Sequence, residues 1–182
     1  DFKPGPNDVV YKNFNINKDT EFEPIWQSFL WAINPDWTFP IIGDQTFKHT
    51  FPGSYVEYLA SEYKHQYLLE YVGVVQNEQN KPNNDALFLR DPDYVPYNGT
   101  VQFNDIVYPY LQQGFIRSGE SGRDSILILD ASSANGGHHH YDSLNVVYTK
   151  YNKELLLDLG YLVDHPNKSF TMATLAHQTV VI

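Results

Sequence analysis

Residues 144–160, LNVVYTKYNKELLLDLG, hold two apolar runs around a two-residue spacer, Tyr151-Asn152. β-Prone runs flanking so short a break specify a β-hairpin. The same texture extends backwards. IVYPYLQQGFIRSG (106–119) and DSILILDAS (124–132) are strand-like and are separated by the turn SGESGR. Short strands with turns about every ten residues indicate an antiparallel sandwich. ATLAHQTVVI (173–182) adds a further strand candidate.

The first half has a different period. After an N-cap at Asp19-Thr20, EFEPIWQSFLWAI (21–33) places Ile25, Phe29 and Ile33 four residues apart, on one helical face. Pro35 ends that helix. The loop INPDWTFPIIGDQTF (33–47) follows. A second, long helix is expected over 54–75, SYVEYLASEYKHQYLLEYVGVV, with Val56, Leu59, Tyr63, Tyr67 and Tyr71 on its inner face. NEQNKPNND (77–85) is a polar break. Helices followed by strands make the chain α+β, as two layers or two domains.

Composition narrows the function classes. With 42% hydrophobic residues, the 182-residue chain can bury a core. It has no apolar run long enough to span a membrane. A net charge of −10, from 22 acidic and 12 basic residues without a basic cluster, argues against nucleic-acid binding. The absence of cysteine excludes disulfides and thiolate metal sites. The start, DFKPGPNDVV, has neither initiator Met nor signal peptide, and the end stops inside an apolar run. The expectation is a segment of a larger protein, with the remainder of that chain as its partner. Among the aromatics, Trp26 and Trp31 fall in the first helix and are assigned to the core. Trp37, in the loop, is the better candidate for a sugar-stacking platform.

GGHHHYD (136–142) carries the chemistry. A hairpin can set His140 beside Asp158, and His177 from a neighbouring strand can complete the set. Two imidazoles and one carboxylate, with an open position for water, suit zinc. Solvated loop histidines and an ordinary turn at Asp158 are the alternative. A cupin site is a specific rival, but it wants glutamate four or five residues after the second His, where Leu144 and Asn145 stand. Asp142 is assigned to hydrogen bonding within the histidine loop. Arg117 offers either a bidentate carboxylate contact or an ordinary ion pair.

GGHHHYDSLNVVYTKYNKELLLDLGY resembles the heparinase II/III-type polysaccharide lyases, including the alginate and oligoalginate lyases. AHQTVVI resembles a later Ala-His-Asn-Thr-Val-Val segment of that family, with Gln178 in place of Asn. PDWTFPIIGDQ and GFIRSG resemble two further segments, in family order. The resemblance implies that residues 1–95 are the C-terminal helices of an (α/α) toroid. Residues 96–182 would be the first part of an antiparallel β-sandwich. It implies β-elimination of a uronate-containing polysaccharide, with His138 as the active-site histidine. His140, Asp158 and His177 would bind a structural zinc ion beside the cleft. His139, in place of a small residue, would shape the cleft mouth, with Arg117 and Trp37 as further substrate contacts. The family's other catalytic groups, an Asn-His pair and a Tyr, have no matching motif here. A periplasmic or secreted location follows from the family alone. The acidic balance leans towards alginate or another unsulfated uronan over heparin. A non-catalytic sugar-binding β-sandwich with a structural metal, or a cupin-like protein, is the alternative.

Overall fold

A computed structural model of the protein describes residues 15–51, 53–78, 84–95, 97–132 and 140–179. The helices come first: α1 (Ile16–Asp19), α2 (Phe22–Trp31), α3 (Gly53–Tyr63), α4 (Gln66–Glu78) and α5 (Asn84–Leu89). Five strands follow among the described residues: β1 (Ile106–Tyr108), β2 (Gln113–Ser118), β3 (Ser125–Asp130), β4 (Asn145–Lys150) and β5 (Lys153–Leu156). Every neighbouring pair is antiparallel and consecutive, in the order β1-β2-β3-β4-β5. The chain is therefore α+β, with a single described sheet. No described helix is long and apolar enough to cross a membrane.

The β4–β5 hairpin turns at Tyr151 and Asn152, with φ of 47° and 60°. Two successive positive-φ residues match the right-handed twist of the strands they join. Period-2 alternation then sorts the sheet's faces. Ile106, Phe115, Ile128 and Val147 are register partners across four strands, and they form a core with Ala32 and Ile42. One step along the same face, the row Gln113, Asp130 and Asn145 ends in buried polar groups. That end of the sheet lies at the candidate site.

The helical layer departs from expectation in three places. Asp19 closes α1, whose cap is Asn15, so the break before α2 lies beyond the expected cap. The core face of α2 is Trp26 and Leu30, followed by Ile33, rather than the face with Ile25 and Phe29. Those two are half-exposed and border an apolar groove of ≈ 620 Å³. The long second helix is two helices. Lys64 takes φ 49°, which breaks the ladder between α3 and α4. Val56, Leu59 and Tyr71 are nonetheless buried, with Tyr63 and Tyr67 packed against them, because the turn preserves the inward face. Most of the polar break at 77–85 lies outside the described residues, as do residues 1–14 and 180–182.

Residues 173–179 are not a strand. Thr174–Ala176 form a 3-10 turn after the short helix α6 (Lys168–Thr171). Beyond Leu156 the chain leaves β4, and Gln178 meets the strand there: the Val146 amide donates to the Gln178 carbonyl at 3.3 Å.

Candidate metal centre

Four side chains converge at the buried polar end of the sheet: His140, Asp142, Asp158 and His177. One ligand atom from each lies within 4.8 Å of every other. His140 is fully buried, and the other three are nearly so. The turn before β4 sets the first two, with the Asn145 amide donating to the Asp142 carbonyl at 2.8 Å. Leu144 closes that turn with φ 67°, a strained angle for a bulky residue. Such strain persists only where the surroundings fix it. Asp158 follows β5, and its Oδ1 accepts the Gly160 amide at 2.7 Å.

The geometry suits a small dication. His140 Nδ1 stands 3.2 Å from His177 Nε2. Two nitrogens on one tetrahedral zinc, at about 2.0–2.1 Å each, are about 3.3 Å apart. Asp158 Oδ2 lies 3.5 Å, and Asp142 Oδ2 3.9 Å, from the same His177 nitrogen. The far side of each ring is also held. His177 Nδ1 donates to the Ala173 carbonyl at 2.9 Å, and since a carbonyl only accepts, Nε2 keeps its lone pair for the cluster. His140 Nε2 faces Asp44 Oδ1 at 3.3 Å, without the alignment of a hydrogen bond. A ligating histidine backed by a carboxylate or a carbonyl is the usual outer-sphere arrangement.

The electrostatics couple the cluster to protonation: an ion would have to displace the proton that the carboxylates favour on His177. Burial raises the Asp142 pKa, with the nearby negative charges of Asp130 and Asp158 adding to it against the opposing pull of His177. Burial lowers that of His177, but the hydrogen bond and charge of Asp158 more than offset it, so the imidazole titrates above its usual range. Two carboxylates in a dry site are stable only when paired or bound to a cation, and two neutral imidazoles with a dication give a neutral set.

Of the residues singled out by sequence, His140, Asp158 and His177 are brought together. His138 and His139 lie outside the described residues. Trp37 is a correction: it is 3% exposed, edge-on to Tyr71 and Phe103, with the Arg123 guanidinium 4.5 Å above its ring. No face remains for a sugar. Arg117 is another. Its guanidinium donates to the carbonyls of Trp31 and Ile33, both at 2.6 Å, and fastens the end of α2 to the sheet. Asp142 and Asp44 were missed as members of the site. For Asp142 a signal existed, since His140 and Asp142 are two apart and point the same way on extended backbone. Asn145, where a cupin has glutamate, holds Asp158 Oδ2 at 2.9 Å.

Gly160 seats the Asp44 loop against this site. Its φ is 61°, and a Cβ there would stand 2.2 Å from the Gln45 carbonyl oxygen and 2.8 Å from Ile41 Cγ2. Gly160→Ala is expected to cost about 2–4 kcal/mol, through strain and a backbone clash together. A denaturant melt reads this, and a cost below about 0.5 kcal/mol, the range of an inert surface change, contradicts the close approach.

No protein-family model and no curated protein matches the sequence. Among solved structures, the chain is similar to a heparinase III gene product, with a TM-score of 0.54 at 14% identity over 86% of this chain and 23% of that one. It is also similar to the heparan sulfate lyase HepC of Pedobacter heparinus, with a TM-score of 0.57 at 15% identity over 86% of this chain and 23% of that one. The chain thus spans about a quarter of the length of these structures, and what it shares with the heparan sulfate lyases is the fold of one part of them.

Proposed function

We propose that this chain is the metal-braced part of a polysaccharide lyase that cleaves a uronate-containing chain by β-elimination. The observation that carries this is the set of four buried donors, of which His140 and Asp142 closely follow the Gly136-Gly137-His138 block, in a fold similar to part of the heparan sulfate lyases. Residues 1–95 would then be toroid helices and 96–182 the start of a sandwich, in a periplasmic or secreted enzyme. His140, Asp142, Asp158 and His177 would hold zinc. The ion would supply cross-linking charge that fixes the histidine loop, not a reacting group.

His138 does the chemistry in this reading. β-Elimination removes the C5 proton of a uronate, forms the C4–C5 double bond and breaks the bond from C4 to the leaving oxygen. A cation beside the uronate carboxylate stabilises the charge that builds up as the proton leaves. His138 either supplies that cation or takes the proton. In sequence it lies two residues before His140, one of the proposed ligands.

An unsulfated uronan such as alginate is our reading of the substrate, from the net charge of −10. All three arginines in the sequence are engaged internally: Arg90 with Glu57, Arg123 with Glu70, and Arg117 with the end of α2. None is left on this chain to form a fork with sulfate. The same holds for a fork with carboxylate, so the preference for an unsulfated chain rests on net charge.

The test is turnover by the intact protein, read as the ultraviolet absorbance of the unsaturated uronate product. His138→Ala is expected to lower turnover by about 10²–10⁴, the span for a positioned acid–base group, with metal content unchanged. Absence of the absorbing product from every uronate polysaccharide offered would sink the lyase reading in favour of a sugar-binding module.

A further inference from the structure

We infer that Asn145 selects the metal, by holding Asp158 to one-oxygen coordination and tying it to the His177 segment. This rests on the metal reading above. Asn145 is fully buried at the start of β4. Its amide group is used at both ends: Nδ2 donates to Asp158 Oδ2 at 2.9 Å, and Oδ1 accepts from the Gln178 amide at 3.1 Å. Its backbone amide holds the Asp142 carbonyl at 2.8 Å. One residue thus touches Asp158 directly, Asp142 through the main chain, and the residue next to His177.

The consequence is a choice of coordination. Both oxygens of Asp158 already accept a protein hydrogen bond, Oδ1 from Gly160 and Oδ2 from Asn145. Oδ2 is the oxygen 3.5 Å from His177 Nε2, so it faces the ligand set. A chelating carboxylate would have to turn both oxygens to the ion and bend both hydrogen bonds. One-oxygen binding suits a four-coordinate ion with nitrogen ligands. Calcium instead takes six to eight oxygens, often with a two-oxygen carboxylate. Asn145 cannot itself become a ligand while Oδ1 is engaged with Gln178. Only a planar amide of this length offers a donor and an acceptor at the required spacing. Aspartate lacks the donor, and serine is too short to span both partners.

The intact protein, stripped of metal, is titrated with Co²⁺, Zn²⁺ and Ca²⁺, alongside Asn145→Ser and Asn145→Asp. The wild type should give the intense visible bands of four-coordinate cobalt. Both variants should lose that intensity as coordination expands. Their Zn²⁺ affinity should fall about 10–100-fold, the usual effect of removing an outer-sphere partner. Asn145→Asp, which adds a carboxylate, should also shift the Zn²⁺-to-Ca²⁺ preference towards Ca²⁺ by about tenfold or more. A purely structural asparagine would lower the melting temperature and leave the cobalt spectrum of the folded fraction unchanged, which overturns the inference but not the metal reading. X-ray absorption of the wild-type zinc form needs no variant, and a five- or six-coordinate ion there overturns it too. A wild type that binds neither Co²⁺ nor Zn²⁺ overturns both.

Discussion

His177→Ala is expected to remove the metal from the intact protein and to make its thermal stability indifferent to chelator. In the wild type, stripping the ion should lower the melting temperature, because the site joins three remote parts of the chain. In the variant the ion no longer has its two-imidazole edge, and Asp142 and Asp158 are left buried with one fewer neutralising partner. Breaking a buried charge arrangement by removing one member costs about 3–5 kcal/mol. Calorimetry with and without chelator separates the two contributions. A variant that keeps the wild-type chelator response shows that the ion, if bound, sits elsewhere. His138→Ala serves as the control, since that residue is proposed to face substrate.

Arg117→Ala should have the second largest effect, on stability and not on substrate affinity. Burial pushes the guanidinium down to about 10, with Tyr108 and Asp105 opposing the shift and Arg123 adding to it. Asp105 is occupied in part by the Arg117 backbone amide, at 2.7 Å. What the guanidinium gains instead is two carbonyls at the end of α2 and the face of Phe103, 5.0 Å away. Losing two charge-assisted bonds, at about 1.5 kcal/mol each, costs about 3 kcal/mol. Arg117→Met, which keeps the stem, should recover only the packing share. Urea denaturation reads this. If instead stability holds and KM for a uronan rises, Arg117 binds carboxylate after all.

The five strands of the sheet are legible because their signals are local, whereas the strand expected over 173–182 is a 3-10 turn at Thr174–Ala176. Tyr151-Asn152 between apolar runs allows few structures other than a two-residue hairpin, and register then follows from alternation. The break at Lys64 was not legible. No glycine or proline marks it, and the apolar period continues through it, so only tertiary packing decides where the helix stops. Trp37 misled for a related reason. A loop position suggests an accessible ring, yet the loop folds under Arg123 and against Tyr71. At the site, residue types revealed three of the four clustered donors, while Asp142 was given a neighbour's role. Asp44 is marked only as part of PDWTFPIIGDQ, and Asn145 bears no signal of its own. One approaches from a loop about a hundred residues upstream, and the other looks like any polar residue opening a strand.

The consecutive order of the sheet also dictates when the site can exist. Each pairing joins strands consecutive in the chain, three of them across two to six residues and β3 to β4 across residues 131–144, and such local pairing favours rapid formation. The site is the opposite case. It requires Asp44, the 140–145 turn, Asp158 and His177 at once, with His140 and His177 meeting across 37 residues. Closing such loops costs entropy before any contact repays it. The sheet is therefore expected to assemble first, with the ligand set a late event. In a cell, ion capture would act on a chain whose strands are already paired, as a final latch and not as a nucleus.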